Sequence, residues 1–87
     1  MKTNEEKLEM FHNDGMMPLI LVCLISADNL VDVESCEIAL EKMQAYVKAL
    51  PNTNIEEEAK KKYEELMNQG LEIIKRDLNQ FKMETDG

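Results

Sequence analysis

Residues 17–27, MPLILVCLISA, take in most of an apolar run that is unbroken from Met16 to Ile25, and their reading decides the fold. Periodicity does not assign them, because a stretch apolar on every side suits a buried strand as well as a buried helix. Composition does. Leu19, Leu21, Cys23 and Leu24 outnumber the β-branched Ile20, Val22 and Ile25, Pro18 suits the first turn of a helix, and no other segment could pair with a strand here. The expectation is a central helix, the most buried of the molecule. The run is about half of the roughly 20 residues a membrane span needs. Glu5, Glu6, Glu9 and Asp14 outnumber Lys2 and Lys7 ahead of it, where a leader peptide would be positive. Core, rather than membrane anchor or leader, is therefore expected.

Upstream, Thr3 and Glu6 have the spacing of a capping box and open a short helix that carries Leu8 and Phe11 and ends at Asn13-Asp14-Gly15. Downstream, the polar break at Asp28-Asn29 is followed by Asp32, a suitable N-cap for a helix that runs to Ala49, with Pro51 beyond its end. Val33, Cys36, Leu40, Met43, Val47 and Leu50 alternate spacings of three and four, which makes a continuous seam on that helix.

A last, long helix is expected after Pro51-Asn52-Thr53-Asn54, capped by Thr53 or Asn54. Glu56, Glu57 and Glu58 lie in its positively polarised first turn and precede Lys60, Lys61 and Lys62 by four residues each. Its stripe, Ile55, Ala59, Tyr63, Met67, Leu71, Ile74, Leu78 and Phe81, passes Gly70 without losing register. A straight helix of about 28 residues would be about 42 Å long, against a radius of gyration near 12 Å for a compact chain of this size. Either Gly70 breaks it or a partner covers the overhang. The second case makes Leu71, Ile74, Leu78 and Phe81 the candidate surface of a homodimer. The residues from Glu84 to Gly87 are polar and expected to fray.

The whole 87-residue chain is thus read as one all-α domain, a small antiparallel bundle of three principal helices with a short N-terminal helix. Its 5% aromatic content and absence of Trp fit helix packing by Leu, Ile and Met better than a sheet. Met43 and Met67 fall on core stripes, whereas Met10, Met16 and Met17 cluster near a turn and could rim an exposed patch. Cys23 and Cys36 lack metal or redox spacing and stand in apolar helical contexts, so both are read as reduced core thiols, which favours a cytoplasmic location.

Catalytic chemistry is not expected. His12 is the sole histidine and lies at a helix end, which removes mechanisms that need paired imidazoles. A calcium loop aligned on Asp28 has Leu30, Val33 and Ala39 where an oxygen ligand, Gly and Glu are required. No phosphate-cradling Gly-rich loop, nucleophile elbow or zinc spacing is present, and no cofactor is implied.

Charge placement remains. Ten Lys and Arg against eighteen Asp and Glu give a formal charge of -8, which opposes direct binding to nucleic acid or to an anionic membrane. Between Leu8 and Glu41 there are seven acids, Glu9, Asp14, Asp28, Asp32, Glu34, Glu37 and Glu41, and no Lys or Arg. Helix-dipole complementarity accounts for Asp32 and Glu34 but not for Glu41. Asp28, Asp32, Glu34, Glu37 and Glu41 are therefore the candidate partner-binding residues. The expected function is a non-catalytic interaction module, an adaptor, subunit or inhibitor, that offers a negative face to a basic protein surface. A mimic of nucleic acid that blocks a DNA- or RNA-handling protein is the specific alternative, and a homodimeric structural bundle is another.

Overall fold

Two helix starts in this chain are set by short polar side chains that accept hydrogen bonds from otherwise unpaired amides. In the computed structural model, which describes residues 1–86 and the side chains of residues 1–84, the elements are α1 (Asn4–Asn13), α2 (Met17–Leu24), α3 (Val33–Ala49), a 3-10 turn (Leu50–Asn52) and α4 (Glu57–Asp86). Thr3 caps α1 in the expected reciprocal box: Thr3 Oγ1 accepts from the Glu6 amide at 3.2 Å, and Glu6 Oε1 accepts from the Thr3 amide at 3.4 Å. Asp32 caps α3 in the same manner with Ser35, whose amide donates to Asp32 Oδ1 at 2.8 Å. Gly15, at a φ of 68°, turns the chain from α1 into α2 in a conformation that side chains disfavour.

All four helices feed one apolar core. Leu8 comes from α1, Met17 and Leu21 from α2, Cys36, Ala39 and Met43 from α3, and Met67, Ile74 and Leu78 from α4. The α3–α4 interface is the largest, as the matched stripes require. Its register is antiparallel. Lys60 Nζ donates to the Pro51 carbonyl at 3.3 Å where α4 begins, and Met43 meets Gly70 in the middle.

Several expectations about this architecture are corrected. The α2 helix ends at Leu24 rather than Ala27, because the side chains of Ser26 and Asn29 both donate to the Cys23 carbonyl and the chain turns there. Nor is α2 the most buried element: Met17 and Leu21 are core, but Leu19 and Val22 are 57% and 58% exposed and Cys23 is exposed too. An eight-residue helix packed on α1 and α4 by one side has no element left to cover the other.

Thr53 does not cap α4. It is buried and its hydroxyl donates to the Leu50 carbonyl at 2.8 Å, closing the 3-10 turn, while the Asn54 amide donates to Glu9 Oε2 at 3.4 Å. Of the three expected Glu–Lys pairs, all at a spacing of four, none is an ion pair among the described residues; Lys60 instead approaches Glu57 at 3.6 Å, one residue closer in sequence.

Gly70 neither breaks α4 nor leaves half of it without cover. The helix is continuous over 30 residues, about 45 Å at 1.5 Å per residue, and the molecule is itself elongated to 46 × 27 × 19 Å with a radius of gyration of 13.7 Å. Helical structure continues through Glu84 to Asp86, where fraying was expected, and Gly87 lies outside the described residues.

Candidate functional site

The five acids singled out from the sequence fall into two groups. Asp28, in the α2–α3 loop, and Asp32, at the α3 cap, are both exposed, but one carboxylate oxygen of Asp32 is engaged by the Ser35 amide. Capping is therefore Asp32's first task. Glu34, Glu37 and Glu41 project from the outer side of α3, all exposed, and their spacings of three and four keep them together along one side of the helix. Among the described residues the ion pairs are Lys60–Glu57 and Arg76–Asp77, so none of these three glutamates is ion-paired there.

Beside the row lies a feature that the sequence reading did not anticipate. An open groove of about 420 Å³ runs between α2 and α3. Ile20, Cys23 and Leu24 form one wall, and Ile38, Ala39 and Tyr46 form floor and opposite wall, with Lys42 the one basic residue among its lining. Small side chains on α3 make the space: Ser35 and Ala39, one turn apart, face α2 where larger residues would close the gap. Tyr46 is held from behind by an edge-on contact with Phe11 of α1, ring centroids 6.5 Å apart. The groove thus rests on packed elements.

Ile38 joins groove and acids. It is 52% exposed, and on a helix its neighbours four residues back and three residues on are Glu34 and Glu41. Across the groove, Leu19 lies one turn from Cys23 and continues the apolar surface outward to Val22. The combined surface is apolar in the middle and acidic along its α3 edge. No protein-family model, curated protein or solved structure matches this chain. Its function must be read from this chemistry alone.

The proposed dimer residues lie elsewhere. Ile74 and Leu78 are buried in the chain's own core, and Leu71 and Phe81 are half-buried against it, so the stripe is occupied without a second copy. Core packing also shapes the two thiols differently. Burial pushes the Cys36 thiol up from its ordinary pKa, and Asp77 and Asp32 add to the shift by opposing a thiolate; Cys23 is exposed in the groove, against the expectation of two core thiols. His12 lies in the last turn of α1, the helix end expected of it, and is partly buried there: its Nδ1 lies 2.7 Å from Tyr63 Oη, a polar link between α1 and α4.

No helix among the described residues is long and apolar enough to cross a membrane. Of Met10, Met16 and Met17, Met17 is fully buried and Met16 is exposed at the base of α2, so only part of that cluster borders the surface.

Proposed function

We propose that this protein is a non-catalytic interaction module that receives a basic protein surface on the outer side of α3. The observation that carries the reading is the row Glu34, Glu37 and Glu41, exposed and, among the described residues, without an ion-pair partner. Three like charges at these spacings slightly disfavour their own helix, so a role outside the helix gives them a reason to stand together. Exposed apolar side chains directly beside the row, Ile38 above all, favour a mixed apolar and charged docking surface over nucleic-acid mimicry, for which charge alone would suffice.

The test is the rate of association with an arginine-rich peptide, followed at low and at physiological salt for the native chain and for the triple variant Glu34→Gln, Glu37→Gln, Glu41→Gln. Exposed charges at an interface act chiefly on encounter. The variant should associate about tenfold more slowly at low salt and lose most of its salt dependence. Equal rates for the two proteins would leave the row as ordinary solubilising charge.

A further inference from the structure

We infer that the α2–α3 groove is the docking site for one amphipathic helix whose apolar side enters the groove and whose Lys or Arg residues lie along the Glu34–Glu37–Glu41 edge. This rests on the reading of the acidic row given above and deepens it by naming the seat and the shape of the partner.

The first support is α2 itself. Its sequence, MPLILVCL, contains no charged or strongly hydrogen-bonding side chain, yet Leu19, Val22 and Cys23 face outward. A surface helix ordinarily turns polar residues to water, and contiguous exposed apolar area on a small monomer marks a site of interaction. Ile38 extends that area onto a second helix, and the furrow between the two is the shape into which a helix ridge packs.

Charge complementarity selects the occupant. A second copy placed symmetrically on this face would bring two sets of Glu34, Glu37 and Glu41 to one interface, on two chains of formal charge -8. An anionic bilayer meets the same repulsion. A helix with cations along one flank of an apolar stripe satisfies both parts of the surface at once. Lys42, at the Tyr46 end of the groove, would oppose a cation there and so fixes which end of the partner's stripe may carry one.

The experiment displays a library of 16-residue helices with a fixed Leu stripe and flanking positions drawn equally from Lys, Arg, Glu and Gln, selects it against the full-length protein, and measures the enriched sequences by titration. Two variants are compared, Leu19→Ser with Ile38→Ser, and the triple Gln variant. All five positions are exposed, and circular dichroism checks that each variant folds. The proposal expects Lys or Arg to be enriched on one flank only, and affinity to fall about tenfold or more in the double Ser variant.

Absence of any enrichment overturns it. Selected helices that lose affinity only in the Gln variant, with the Ser variant unaffected, also overturn the groove as the seat while leaving the acidic row intact as a binding face. If neither variant matters, both readings fail. Enrichment of Glu on the flanks would point to Lys42 rather than the acidic row and contradict the proposal equally.

Discussion

The terminal methyl of Met43 lies 2.9 Å from the place a Cβ on residue 70 would occupy, so Gly70 is the hole into which Met43 fits. Ile25 Cγ2 stands 3.2 Å from the same point. Here α3, α4 and the residue that follows α2 come together, and Met43 is fully buried.

Gly70→Ala sets two effects against each other. Alanine favours the helix interior by about 1 kcal/mol, whereas forcing a methyl into a filled core costs about 1–3 kcal/mol. Because the nearest atom is the free end of a flexible side chain, the two effects should nearly cancel, and chemical denaturation should record a change of less than about 1 kcal/mol. In a Met43→Leu background, which removes the clashing methyl, the same substitution should become more favourable. Additive effects in the double variant would show that Gly70 is not held by Met43.

The two thiols should behave oppositely. Cys23 should react with a thiol reagent in the folded protein at the rate of an exposed thiol, and Cys36 only on unfolding, since burial raises its pKa and hides its sulfur. The same shift has a consequence for stability. With the folded pKa raised, the unfolded chain releases the Cys36 proton first, so stability is unaffected below the ordinary thiol range, about 8.5, and falls as pH rises beyond it. Denaturation midpoints between pH 7 and 10 should decline less for Cys36→Ala than for the native chain, after allowance for the cavity the variant creates.

Tyr63→Phe removes the hydroxyl that meets His12 Nδ1 and leaves the ring in place. A loss of about 0.5–1.5 kcal/mol is expected, the range for one hydrogen bond. With His12→Ala as the second change, the two losses should fall short of additivity, as contacting partners do. Full additivity in the double-mutant cycle would remove this link from the account of how α1 is held on α4.

Asp32 and Asp28 separate capping from surface charge. Asp32→Ala should cost about 1 kcal/mol through loss of the α3 cap, and Asp28→Ala less than about 0.5 kcal/mol. The triple Gln variant of Glu34, Glu37 and Glu41 should be as stable as the native chain or slightly more so, because it relieves repulsion along α3. Thermal melts of the three variants give the comparison directly.

Helix identity was legible in the sequence because each signal is local. Thr3 with Glu6 and Asp32 before Val33 name their helix starts, and the seam from Val33 to Leu50 names the buried side of α3. What eluded sequence reasoning depends on which elements surround which. An all-apolar segment was read as the centre of the core, but burial requires neighbours on every side, and this chain supplies them for only one side of α2. Thr53 lost its cap role to a 3-10 turn that claimed its hydroxyl first.

The acidic row was visible as spacing, whereas the groove beside it was not, since Ser35 and Ala39 become a furrow only once α2 lies opposite them. The absence of any polar residue in residues 17–24, on a helix too short to be enclosed, is the one signal that could have foretold an exposed apolar face.

The central claim is that the outward side of α2 and the acidic row of α3 act as one docking surface. Backbone and methyl chemical shifts of isotopically labelled protein, recorded during titration with a selected basic amphipathic helix, test this most directly. The account predicts concerted shifts at Leu19, Val22, Cys23, Ile38 and Lys42 together with Glu34, Glu37 and Glu41, and little change along the exposed side of α4. Shifts confined to α4, or to the glutamates without α2, would contradict it.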